Sequence, residues 1–280
     1  MTTRTAVRLG HCAFLGLIVL SGCRPSAQTV VAATPRQVAG LSLSLRGPQE
    51  VRLGEPLDLR IGFSNASSAP LVLYRGIGIG SSEELQLSAE GGGCNFKVPE
   101  THIEAPAEWA PFFFVPLVPG RGFEESLRLN DVSGSFIELP VHVPGIYHVT
   151  ATLIGSDRQS AHGPLWIGSA ESPALHVAVQ PARRESLESW RRALDSCIRG
   201  DCSQLEGATK YFSLVRDEIA ADLLIRLLPE KGSVARAVAA QGRKQDASAL
   251  RLHGTRHVIP AAREYYSRAA DMIERGDPCR

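Results

Sequence analysis

The chain has 280 residues, is 44% hydrophobic and 21% charged, and carries a formal net charge of +1. That balance excludes an intrinsically disordered chain and gives enough length for two domains, each with its own core. The charge is unevenly spread. Residues 38–182 hold eight Lys/Arg against fifteen Asp/Glu, a balance of −7, and residues 183–280 hold eighteen against fourteen, a balance of +4. A basic segment so well supplied with acids is no nucleic-acid footprint, and that partner class is excluded.

The chain opens with Arg4 and Arg8, an apolar run over residues 12–20, and the small residues Ser21-Gly22. This order is that of a secretory signal, too short to span a bilayer stably. Leu20-Ser21-Gly22-Cys23 resembles the lipobox of bacterial lipoproteins. The resemblance implies that residues 1–22 are a signal peptide, that the Cys23 thiol is acylated, and that the remaining 258 residues hang from a lipid bilayer. It also implies a cell-envelope location. Arg24, where an aspartate would favour inner-membrane retention, leans that expectation towards the outer membrane facing the periplasm. Residues 23–38 are small, polar and broken by proline, as a tether should be.

From residue 39 the period becomes two. Leu41, Leu43 and Leu45 alternate with serines, and Leu57, Leu59, Ile61 and Phe63 share one face of a second run. Further strands are expected at 70–75, 84–89, 111–118, 124–130, 136–141, 145–154 and 173–180. Pro and Gly separate them at short intervals, the rhythm of an antiparallel sandwich over 39–182. Gly54-Glu55-Pro56-Leu57, Pro144-Gly145-Ile146-Tyr147 and Ser172-Pro173-Ala174-Leu175 resemble segments of immunoglobulin-like modules in bacterial surface proteins. The resemblance implies that the Tyr147 hydroxyl bonds back to nearby backbone, as a tyrosine corner does.

Within this half, Trp109-Ala110-Pro111-Phe112-Phe113-Phe114 is the sharpest oddity. Neighbours in a strand point to opposite sides, so Phe112 and Phe114 share a side and Phe113 takes the other. Either the helical half covers that second face, or Phe113, with Trp109, is a binding candidate. Gly76-Ile77-Gly78-Ile79-Gly80 is followed by no Gly-Lys-Ser/Thr and reads as a strand edge or hairpin, not a phosphate cradle.

Around residue 183 the texture turns helical. Leu187, Trp190, Leu194 and Ile198 form an apolar stripe over 185–199. Further helices are expected over 209–228, closed by Pro229, over about 232–241 with Gly242 as a cap, and from Pro260 onward. Residues 216–224 followed by an alanine-rich run resemble a degenerate HEAT-type helical pair. The fold class is therefore mixed, β then α: an immunoglobulin-like antiparallel β-sandwich followed by a small helical domain at 183–280.

Cysteines in an exported chain are disulfide candidates. Cys197 and Cys202 bracket a turn and form the first expected pair; Cys94 with Cys279 would clamp the two halves. His253 and His257 stand four apart, but Gly254 weakens that helix and no His-Glu-x-x-His is present, so both read as loop histidines. His142, His148 and His176 read as surface positions on strands. Glu83, Glu84, Glu124, Glu125, Asp131 and Asp157 sit beside turns without an Asp-x-Asp calcium loop. No catalytic residue, metal or cofactor is assigned. The expected function is a membrane-anchored binding or scaffolding module with an envelope protein as partner. One alternative is a protease inhibitor presenting loop 91–108; another is an envelope-polymer hydrolase using Glu83, Glu84 or Asp157.

Overall fold

A computed structural model of the chain describes residues 30–32, 36–38, 40–74, 85–98, 114–133, 137–155, 165–257 and 260–275. Strands come first: β1 (Val30–Ala32), β2 (Arg36–Val38), β3 (Leu41–Pro48), β4 (Glu50–Arg52), β5 (Leu57–Asn65), β6 (Leu71–Tyr74), β7 (Leu85–Gly91), β8 (Cys94–Lys97), β9 (Phe114–Leu117), β10 (Gly122–Leu129), β11 (Gly145–Gly155), β12 (Gly168–Glu171) and β13 (Leu175–Gln180). Helices follow: α1 (Arg184–Ile198), α2 (Leu205–Phe212), α3 (Glu218–Leu227), α4 (Ala235–Gln241), α5 (Ala247–Thr255) and α6 (Pro260–Arg275).

One sheet runs β1-β3-β5-β10, with β2 also on β3; a second runs β4-β13-β11-β7-β8, with β12 also on β11. Pairing is antiparallel throughout both except for the parallel edge pair β4 and β13. The period-two reading explains these faces. Leu41, Leu43, Leu45, Leu57, Leu59, Ile61 and Phe63 are all buried, while Asp58, Arg60 and Ser64 between them are exposed. Each buried leucine contributes roughly 1.5–3 kcal/mol relative to exposure. Sheet pairing begins earlier than the composition suggests, because β1 and β2 lie within the stretch read as a tether and hydrogen-bond to β3. Residues 137–142 form no strand. There Asn130, at φ +58°, ties the segment down instead: its side chain accepts from Leu139 N at 2.9 Å and donates to Leu139 O at 3.2 Å.

In the helical half, the expected helix over 209–228 is two helices. The break has a chemical cause. Asp217 adopts extended backbone and its side chain accepts from Ala220 N at 2.8 Å, capping a fresh helix. Gln241, buried at the end of α4, stitches the gap: it donates to Phe212 O (2.7 Å) and Val215 O (3.0 Å) and accepts from Asp217 N (2.7 Å). Gly242 follows in the left-handed region, as the sequence leads one to expect of a helix-ending glycine. Helix α5 has no counterpart in the sequence reading, where Gly254 counted against it. Cys197 and Cys202 are joined by a disulfide across the α1–α2 turn. Cys94 is also disulfide-bonded.

Both halves share one hydrophobic cluster, from Leu41 in β3 to Ile273 in α6. The joint is built on the Gly54-Glu55-Pro56 turn. Gly54 has φ +77°, and a Cβ there would overlap the Tyr211 ring of α2. Glu55 pairs with Arg183 at 2.6 Å where β13 gives way to α1. Buried Glu138 pairs with Arg236 of α4 on the other side.

Candidate functional site

At the joint lies a small, partly open cavity of about 30 Å³, lined by Val51, Leu53, Gly54, Tyr147, Val177 and Leu214 among others. It has room for about one water molecule, whereas pockets for small-molecule ligands run to about 300 Å³ and more. The Tyr211 hydroxyl nearby is buried with no hydrogen-bond partner among the described residues, and burial pushes its pKa up to about 12. This region is a packed joint between the halves. Tyr147 contributes to the packing from β11, and its hydroxyl donates to Val143 O at 2.8 Å, the backbone return that the sequence resemblance implies.

The outward face of β11 is the more open feature. Tyr147, Val149, Ala151 and Leu153 point into the core, so Ile146, His148, Thr150, Thr152 and Ile154 point out. Ile146 is 66% exposed and Ile154 41%, leaving apolar side chains at both ends of a polar centre. In that centre His148 lies opposite His176 of β13 on one side and Glu90 of β7 on the other. All three are exposed, and the two imidazole rings stand 4.4 Å apart at 53°. Strand β11 is bonded on both edges, so this row stands on a fixed scaffold. Outwardness of His148 and His176 was readable from their alternation with buried neighbours; their partnership depends on register between strands far apart in sequence.

A second histidine pair is set in different surroundings. His253 is buried within α5, not in a loop, because Gly254 is needed for close packing: a Cβ there would press within 2.9 Å of Tyr266 Cβ. His253 Nε2 and His257 Nε2 are 3.1 Å apart, and both rings pack on Tyr266. A proton on His253 Nε2 leaves its buried Nδ1 a bare lone pair, which costs less than an unpaired N–H. Burial lowers the His253 pKa, helped by His257 and Arg256. Arg263 donates to the His257 carbonyl, adding a second cation at this place. His142 is likewise buried rather than on the surface, at the edge of the Phe96 ring.

Several expected site residues lie outside the described residues: Cys23, Cys279, Trp109, Phe113, Glu83, Glu84, Asp157, the Gly76–Gly80 run and most of loop 91–108. Glu124 lies on β10 in a pair with Arg46 at 3.2 Å. Asp131 is hydrogen-bonded by Ser133, which together with Arg128 holds its carboxyl below the usual range. No set of three imidazole, carboxylate or thiolate groups gathers at metal-binding distance among the described residues. No described helix is long and apolar enough to cross a membrane.

No family model matches the chain, and no curated protein does. Among solved structures, the CARDB domain of a Pyrococcus furiosus protein is 12% identical, with 50% of this chain and 94% of that domain covered at a TM-score of 0.25. A β-glucosidase from Listeria innocua is 17% identical over 51% of this chain and 16% of the enzyme, also at 0.25. AvmM, described as catalysing macrocyclization in alchivemycin A biosynthesis, is 9% identical over 54% of this chain and 98% of its own at 0.26. Likeness at these TM-scores carries no argument about fold or activity.

Proposed function

We propose that the chain is a bacterial lipoprotein, held in the envelope by an acylated Cys23, whose strand half is an immunoglobulin-like β-sandwich and whose two halves act together as one protein-binding module. The observation that carries this reading is the continuous core across the joint. A binding face on β11 is thereby fixed relative to the helical half, and ordering it on binding costs little entropy. Two sheets with mainly antiparallel pairing and the Tyr147 return bond support the sandwich. The Leu20-Ser21-Gly22-Cys23 motif supports the anchor, and an outer-membrane site facing the periplasm follows from Arg24 on the same reading.

The anchor also assigns a disulfide. Cleavage removes Cys12 and acylation occupies the Cys23 sulfur, so Cys279 is the cysteine left to pair with Cys94. Non-reducing peptide mapping of the mature protein is expected to find Cys94 joined to Cys279. Cys23→Ser is expected to abolish fatty-acid labelling and release the protein from the membrane fraction; a variant that stays membrane-bound and labelled sinks the anchor. A photo-crosslinking residue at Ile146 is expected to capture one envelope protein in intact cells, and one at Arg60 on the other sheet is not. Equal capture at both positions, or none at Ile146, counts against the β11 face.

A further inference from the structure

The structure assigns a surface site for a divalent transition-metal ion of the zinc or copper class to His148 and His176, with water completing the shell and Glu90 beside it. The two histidines are register partners on neighbouring antiparallel strands, a relation that sets their Cβ atoms about 4.5–5.5 Å apart. Two imidazoles bound to one ion at metal–nitrogen distances of about 2.0–2.1 Å, in adjacent coordination positions, hold their ring centres roughly 4.5–5 Å apart. The observed separation is 4.4 Å, so small side-chain rotations suffice. The scaffold is already rigid, because β11 is paired to both β7 and β13. Imidazole suits zinc, copper and nickel, and copper binds most tightly in that series.

Charge separates this pair from the other one. Glu90 stands next to His148 in the same row, within a half whose balance is −7, and the site is open to the water that would fill its remaining positions. His253 and His257 instead satisfy each other, with the cations Arg256 and Arg263 close by. An ion there would bring uncompensated charge into a largely buried place. The two pairs therefore make opposite predictions, and the inference stands whether or not the β11 face binds a protein.

The test uses the untagged full-length chain in detergent, titrated calorimetrically with Cu²⁺ or Zn²⁺ alone. One ion is expected per chain with a dissociation constant below about 100 μM, tighter for Cu²⁺. His148→Ala and His176→Ala are each expected to weaken binding at least about tenfold, and Glu90→Gln less than either, as loss of a supporting carboxylate does. His253→Ala should leave binding unchanged. Copper bound to the parent should report two imidazole nitrogens by electron paramagnetic resonance. All three variants on the sheet face are surface changes, and an unchanged Tm without metal will show that each is folded. Binding that survives both His148→Ala and His176→Ala overturns the assignment. So does binding lost with His253→Ala, or a parent constant weaker than about 1 mM.

Discussion

The strand half and the helical half close their cores by different means. In the strand half, alternation does nearly everything: Leu43 faces Phe63 and Leu45 faces Ile61 across one continuous ladder, and Asp58, Arg60 and Ser64 on the opposite face of β5 meet water. In the helical half, four helices, α1 to α4, meet around a few side chains that are polar. Gln241 and Asp217 end one helix, begin the next and bind the gap between them, and Arg191 donates to Asp217 at 2.8 Å. The difference teaches where sequence pattern is informative. A strand's fate is written in its own period, but the gap between α2 and α3 is also held by a side chain 24 residues away, which no local period shows.

The joint offers the largest perturbation, because it belongs to both halves. Gly54→Val places a branched side chain at positive φ and drives it into the Tyr211 ring. Left-handed strain and overpacking together are expected to cost about 4 kcal/mol. Gly93 separates the two causes, since its φ is +80° and a Cβ there meets nothing within 4 Å. Gly93→Val is therefore expected to lose only the strain, about 1–2 kcal/mol. Chemical denaturation of both variants measures the gap. Equal losses would mean that Tyr211 does not lock the halves together.

A middle-sized effect is expected in the helical hub. Gln241→Leu keeps the volume but strands the Phe212 and Val215 carbonyls and the Asp217 N–H. Leaving these buried groups unpaired should cost about 2–3 kcal/mol in denaturant unfolding. A loss below about 0.5 kcal/mol, the size of a neutral surface change, would show that the hub is ornamental and that helix packing alone sets the boundary.

The same contrast measures what was legible beforehand. The runs at 57–65 and 145–154 became β5 and β11 within a residue or so, because buried leucines and valines at period two leave few alternatives. Strands β8 and β12 were not foreseen; each is four residues long, too short for a period to show. The break at 213–217 was hidden because Leu214 and Val215 continue the apolar pattern straight through it, and both are buried there for tertiary reasons. His142 and His253 were misread for a related cause: a lone histidine carries no sign of the aromatic neighbours that bury it. The His148–His176 pair was present in the sequence only as two outward positions.

The smallest expected effect concerns protons at the hub. Burial raises the Asp217 carboxyl pKa, but the Arg191 hydrogen bond and the Ala220 N–H outweigh it, and the net shift is downward from the ordinary value of 3.8. A folded pKa below the unfolded one means that the unfolded chain binds the proton more readily as pH drops. The contribution of Asp217 is therefore whole above the ordinary carboxyl range and is lost as pH falls through the lower folded value. Asp217→Asn keeps a cap oxygen for Ala220 but removes the charge facing Arg191, and should cost about 1 kcal/mol near neutral pH. Urea unfolding from about pH 6 down to about pH 2 should bring parent and variant together at the acid end, since both then hold a neutral side chain. A gap that stays constant over that range would assign the cost to altered cap geometry, and the helical half would then owe its boundary to shape, as the strand half does, and not to charge.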